Sequence, residues 1–213
     1  MPTRAKLSEL ALRERILRGA AAAFGKLGYA STRVQDIVQE AGISRPTFYK
    51  LFDSKDAVFL ALSETHHDTI RERLAQAYAS TDDPAQQLGR ALESFLRWRA
   101  ELGPVGRVLD LEARSPGTLL EKQRRRTLAQ VIELAQSGLK RAGRQPVDPA
   151  LLRALVAAAE NVADELFVES PVSEAVMQRA KAIVLRIHAA ALAKPEERLP
   201  ALPLATKMRT RRS

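Results

Sequence analysis

The side chains best placed to act on another molecule lie close together at Arg45, Thr47, Tyr49 and Lys50. They alternate with Phe48, Leu51 and Phe52, whose spacing is that of a buried helical face, so donors and cations are left outside. A short helix with such a face suits the major groove of DNA, where an arginine reaches the O6 and N7 acceptors of guanine. Three other groupings invite chemistry. His66 and His67, with Glu64 and Asp68, suggest a metal, but adjacent helical residues point about 100° apart and do not chelate together. They read as a polar pocket wall or as surface. Glu160, Asn161, Asp164 and Glu165 fit an acid pair, a polar spot for a ligand, or a solvent face, with Asn161 the pocket candidate. Arg124, Arg125 and Arg126 read as a solvated face, and His188 as an interface or surface residue.

The elements around Arg45 explain how that face is held. Thr32 is placed to cap a helix, with Gln35 at capping-box distance, and Val34, Ile37, Val38 and Ala41 follow at helical spacing. Gly42 supplies a left-handed stop, and Ile43 plugs the turn. Ser44 caps the next helix, with Pro46 tolerated in its first turn. Upstream, Leu12, Ile16, Ala20, Ala23, Phe24 and Leu27 define a first helix from about Ser8, its end frayed by Gly25 and Gly28, with Tyr29 capping the small three-helix core. Residues 1–7 read as a basic arm on DNA or as a frayed terminus. Residues 1–54 carry nine Lys and Arg against five Asp and Glu, a local charge of +4.

From Gly28 to Val58 the chain resembles the DNA-binding module of the tetracycline-repressor (TetR) family. The matching elements are Gly28 and Thr32, the Asp36-Ile37…Ala41-Gly42-Ile43-Ser44 run, and the ending Tyr49-x-x-Phe52-x-x-Lys55. Val38 stands where alanine is commoner and Val58 where leucine is, and both stay apolar. The resemblance implies that Thr32, Arg45, Thr47, Tyr49, Lys50 and Lys55 meet DNA. Tyr49 and Lys55 would hold phosphates, Lys55 from a helix N-terminus. It implies a homodimeric regulator on a palindromic operator, a repressor released by a small-molecule effector. The alternative on the same fold is a DNA-binding protein controlled by a protein partner.

The remainder fits an all-α protein of about nine helices. A helix-turn-helix domain spans 1–54, a helical ligand-binding and dimerisation body 55–194, and a disordered basic tail 195–213. Helix boundaries are marked by Asp53-Ser54, Thr81-Asp82-Asp83-Pro84, Gly103-Pro104, Arg114-Ser115-Pro116-Gly117, Gly143, Asp148-Pro149 and Ser170-Pro171. Thr65, Thr69, Phe95, Trp98, Leu109, Val131, Leu134, Asn161 and Phe167 are the expected pocket residues. The helices over 148–168 and 171–193 are rich in small side chains and are expected to pair in a dimer. The 213 residues include no cysteine, which excludes disulfides, thiolate zinc and a cysteine nucleophile. No nucleophile motif, metal motif or Gly-rich phosphate loop points to an enzyme, and no cofactor or metal is expected. A net charge of +9 favours a polyanionic partner. The absence of a signal peptide or membrane-length apolar run leads us to expect a cytoplasmic protein without membrane contact.

Overall fold

A computed structural model of the chain describes residues 4–169 and 171–193. The tail expected over 195–213 lies outside the described residues, as do the first three residues of the expected arm. The described residues form nine helices: α1 (Arg4–Ser31), α2 (Val34–Ala41), α3 (Arg45–Tyr49), α4 (Lys55–Ala79), α5 (Pro84–Leu102), α6 (Pro104–Arg114), α7 (Glu121–Arg141), α8 (Pro149–Leu166) and α9 (Glu174–Leu192). No strand occurs among them.

Helix α1 begins at Arg4, ahead of the expected Ser8, so the rest of the arm is helical. Ile16, Ala20, Ala23 and Phe24 bury one of its faces almost completely. Gly28, at φ 76° and ψ 165°, breaks the helical path. The end of α1 then needs donors for its last carbonyls, and Thr32 supplies one: its hydroxyl donates to Gly28 O at 2.6 Å. Thr32 is therefore not the cap of α2. Arg33 takes that position, and its N–H donates to the Asp36 carboxylate at 2.7 Å. Gly42, at φ 59°, ends α2 in the left-handed conformation. Arg15 reaches across from α1 to satisfy the end of α2, donating to Ala41 O at 2.6 Å and Gly42 O at 2.5 Å.

Ser44 caps α3, accepting from Thr47 N–H at 3.3 Å, with Pro46 in the first turn. The regular helix ends at Tyr49. Leu51 and Phe52 N–H both fall back on Phe48 O, so the chain turns toward Ser54, whose hydroxyl caps α4 by accepting from Ala57 N–H at 3.1 Å. Asp83 caps α5 and Asp148 caps α8, each followed by proline at the first position. The start of α9 is later than the Ser170-Pro171 pair suggests: Ser173 is its cap, accepting from Val176 N–H.

Phe24, Ile37, Phe48, Val58 and Phe59 centre the core of the N-terminal module. That core does not stop at α3. Val105, Leu109 and Ala113 of α6, together with Leu120, belong to the same cluster. Leu109, expected in the ligand pocket, is thus a packing residue between module and body. Further along, Ile70, Leu74 and Ala77 of α4 pack with Ala91 of α5. Leu92 of α5 meets Ala159 of α8 and Val184 of α9.

Helices α1 and α2 cross closely at Gly19. A Cβ added at Gly19 would lie 2.6 Å from Ala41 N and 2.7 Å from Ala41 Cβ. Exchanging glycine for alanine within a helix ordinarily stabilises it by about 0.5–1 kcal/mol. Here the obstacle is backbone, so Gly19→Ala forces the helices apart. We expect a net destabilisation of about 1–3 kcal/mol in chemical denaturation, as for other overpacked sites. A variant more stable than wild type would show that this crossing has slack.

Candidate nucleic-acid interface and the cavity of the body

Helix α3 is held from beneath by Phe48, which is fully buried and stacks edge-on with Tyr49 at 5.3 Å between ring centroids. Arg45, Tyr49 and Lys50 are exposed around it. Thr47 is half-buried, and its hydroxyl sits 2.7 Å from Ser44 Oγ. These four side chains surround a rigid capped turn and offer it cationic, hydroxyl and phenol donors. Thr32 is different. It is 1 % exposed and its hydroxyl is engaged on α1, so its side chain is withdrawn from this face.

Lys55 is also placed otherwise than a free phosphate anchor would be. Its ammonium donates to Tyr29 O at 2.8 Å, Thr32 O at 3.0 Å and Ala30 O at 3.2 Å. It also lies 4.6 Å from the centre of the Tyr29 ring. An ammonium has three protons, so all its donors are matched within the fold. Tyr29 completes the junction by donating its hydroxyl to Asp56 at 2.6 Å. Burial and the Asp56 carboxylate both push the Tyr29 phenol pKa up, so it stays a donor. Lys55, Tyr29 and Asp56 thereby latch the end of α1 to the start of α4.

The body contains a cavity of about 360 Å³ between α4, α5, α7, α8 and α9. Its wall on α4 is His67, Ile70, Leu74 and Tyr78, one helical stripe. That phase excludes the two expected threonines: Thr65 is exposed, and Thr69 turns its hydroxyl back to Thr65 O at 2.8 Å. Phe95, Trp98 and Val131 line the cavity. Leu134 packs against the Ile70–Leu74 cluster without bordering the space. Asn161 points outward on α8 and is exposed. Phe167 borders a separate cleft with Pro104 and Arg107, whose guanidinium donates to Phe167 O at 2.9 Å and Val168 O at 2.7 Å.

Charged residues gather at one end of the cavity. Arg99, 8 % exposed, lies between Asp110 of α6, 2.6 Å from Nη1, and Asp164 of α8. Arg124 forms a bidentate pair with Glu160, at 2.8 and 2.7 Å. Arg114 joins the two acids of α8, 3.2 Å from Asp164 and 3.4 Å from Glu160. Arg124 is therefore not part of a solvated face, although Arg125 and Arg126 are exposed. Burial raises the Asp110 pKa, with Arg99 opposing, and the hydrogen bond to Glu160 raises that of Arg124. His67, half-buried and close to Arg124, is pushed down to about 4 by desolvation and by that charge and is neutral at pH 7. His188 is buried, not a surface residue, and its Nδ1 lies 2.9 Å from Val184 O. No group of three or more His, Cys, Asp or Glu side chains among the described residues has the geometry of a metal site. No helix among them is long and apolar enough to cross a membrane.

The charged end was not legible beforehand. Arg99, Asp110, Arg124 and Asp164 are far apart in the chain, and no periodicity marks them as partners. Glu160 and Asp164 did stand out as acids within an apolar helix. That signal marked the segment, which also read as a solvent face, without showing which arginines would meet the acids.

Residues 16–62 match the sequence pattern of bacterial regulatory proteins, tetR family. An uncharacterised HTH-type transcriptional regulator, YdgC of Bacillus subtilis, is 31% identical over 128 residues, covering 57% of this chain and 62% of that protein. The HTH-type transcriptional activator FasR of Mycolicibacterium smegmatis is 34% identical over 83 residues, 39% of this chain and 38% of FasR. The chain thus spans less than two thirds of the length of either relative. The crystal structure of a TetR-like transcriptional regulator from Rhodococcus sp. RHA1 superposes with a TM-score of 0.66 at 27% identity, covering 89% of this chain and 99% of that one. The N-terminal module thus matches the TetR family of bacterial regulatory proteins in sequence, and the described residues share the fold of a TetR-like transcriptional regulator.

Proposed function

We propose that the protein is a homodimeric DNA-binding transcriptional regulator whose hold on its operator is set by a small molecule in the body cavity. The observation that carries the DNA reading is the set of exposed donors, Arg45, Tyr49 and Lys50, around a helix fixed by Phe48. Thr47 completes the face. In this reading Lys50 and Tyr49 hold phosphates, and Arg45 reads a base edge. Lys55 acts one step back: by latching α1 to α4 it sets the angle at which α3 is offered.

The cavity supports a small-molecule effector over control by a protein partner alone, for which a filled body core would be expected. Helix α4 runs from the latch at Lys55 to the cavity wall at His67 and Ile70, so one element borders both sites. A ligand moves this system only by binding the DNA-competent and DNA-incompetent arrangements with different affinities. We assign repression relieved by ligand as the direction, although FasR is by its name an activator.

A single module reads too few base pairs for useful selectivity, and a two-fold pair spaces its heads by about 34–36 Å or a multiple. The outward faces of α8 and α9 suit such a pair. Ala154, Ala157 and Asn161 are exposed on α8, and Ala182, Ile187 and Ala190 on α9, leaving room for close helix approach. Val184, by contrast, is fully buried against Leu92 and Ala159 and belongs to the fold of one chain.

Ile187→Glu is expected to give monomers of unchanged helical content and to abolish operator binding. Sedimentation with circular dichroism checks this, and an intact dimer would remove α9 from the interface. On DNA selected by the protein from genomic fragments, Lys50→Ala should flatten the salt dependence by about one unit of slope. Arg45→Ala should lose about 1–3 kcal/mol of discrimination at one base pair. Lys55→Ala should weaken binding together with the melting temperature, unlike Lys50→Ala. Anisotropy titrations across salt and across single-base variants decide among these, and unchanged curves for Arg45→Ala and Lys50→Ala would displace α3 as the reading element.

A further inference from the structure

The charged end of the cavity constrains what can occupy it. Three arginines, Arg99, Arg114 and Arg124, face three carboxylates, Asp110, Asp164 and Glu160, in contacts that use them against one another. A ligand carboxylate brought here meets Asp110 and Glu160 as well as the arginines, and a ligand ammonium meets the reverse problem. Neither charge finds an unmatched partner, and a buried unmatched charge is costly. Asp110 Oδ2, within its ion pair to Arg99, makes no hydrogen bond, and the fold also leaves donors without acceptors. Trp98 lines the cavity and its indole Nε1–H is buried with no hydrogen-bond partner. Buried tryptophan N–H groups ordinarily find an acceptor, and an orphaned one calls for an explanation. Arg99 Nε, the next residue on α5, is likewise buried without a partner. Beyond these groups the wall is apolar, through Ile70, Leu74, Phe95, Leu128 and Val131.

We propose that the effector is an uncharged amphiphile, an apolar tail bearing an ester, amide or ketone carbonyl, with that carbonyl accepting from Trp98 Nε1–H. This rests on the reading of the cavity as the effector site and names the chemistry of its occupant. Arg144 lines the cavity elsewhere, where its guanidinium donates to Leu192 O at 3.0 Å. Arg141, three residues earlier in the chain, donates to Tyr78 O at 3.2 Å, and Tyr78 is eleven residues along α4 from His67, about 16 Å at helical rise. A carboxylate held at Arg144 would be the competing arrangement.

The test uses the full-length protein, calorimetry, and two probes with matched chains, methyl decanoate and decanoate. Wild type should bind the ester at least tenfold more tightly. Because an ester also partitions more readily into any apolar space, the deciding quantity is how that ratio changes between variants. Glu160→Gln leaves Arg124 without its counter-charge and should raise decanoate affinity about tenfold relative to the ester. Asp110→Asn leaves Arg99 with Asp164 alone and the cluster with one positive charge in excess, should shift the ratio in the same direction, and serves where the first variant folds poorly. Trp98→Phe keeps the apolar wall, removes the donor, and should weaken the ester about fivefold to tenfold. Decanoate binding as tightly as the ester in wild type, or a ratio unmoved in the folded charge variants, overturns the proposal and favours Arg144 as an anion site. An ester unaffected by Trp98→Phe overturns the donor assignment. If neither probe binds while selected DNA is still bound, the proposed ligand class falls and the DNA-binding reading stands. Loss of DNA binding by the wild-type protein would remove that reading itself.

Discussion

Arg99 is the side chain on which the body most depends. It belongs to α5, pairs with Asp110 of α6 and Asp164 of α8, and is almost wholly buried. Bringing a guanidinium into such a place is costly unless its charge is met from several directions. Removing either acid would leave an uncompensated charge inside, so the three helices are tied to one mutual placement more firmly than apolar packing alone would tie them. The Arg124–Glu160 pair adds α7 to α8, and Arg114 ties α6 to the same two acids of α8. The result is a polar knot at one end of an otherwise apolar cavity.

That knot has mechanical consequences for the N-terminal module. Asp110 shares α6 with Val105 and Leu109, which are buried in the module's own core. On α1, a Cβ at Gly25 would lie only 3.2 Å from Val105 N, so the two helices meet nearly backbone to backbone. A displacement of α6 at Asp110 therefore reaches α1 with little compliant material between. Helix α4 offers a second route, from the wall at His67 to the latch at Lys55. Well-packed interiors transmit displacement because they hold few voids to absorb it. Both routes converge on α1, against which α2 is set.

Much of the fold was visible in the chain. The apolar periodicity placed the helices, and Asp83-Pro84, Asp148-Pro149 and Gly42 marked ends that the structure retains, because caps and left-handed stops are local devices. The less accurate boundaries have tertiary causes. Thr32 has the chemistry of a cap but is drawn inward because Gly28 leaves α1 with a carbonyl to satisfy. Ser170-Pro171 has the form of a helix start, yet Ser173 supplies the actual cap. Of the expected pocket residues, Phe95, Trp98 and Val131 line the cavity, because large side chains at the buried phase of α5 and α7 had few other places to go.

By itself, then, the sequence determined the helical architecture, the turn presenting Arg45, Tyr49 and Lys50, and the family resemblance, all of which rest on contacts within a few dozen residues. The tertiary structure alone decided the rest. It turned Lys55 onto the carbonyls of Tyr29, Ala30 and Thr32, rotated Thr65, Thr69 and Asn161 out of the cavity, and assembled Arg99, Asp110, Arg124, Glu160 and Asp164 at its end. The reason is physical. A helix's rotation about its axis and a charge's choice of partner depend on the neighbouring helices, and periodicity within one segment carries no information about which segment lies opposite.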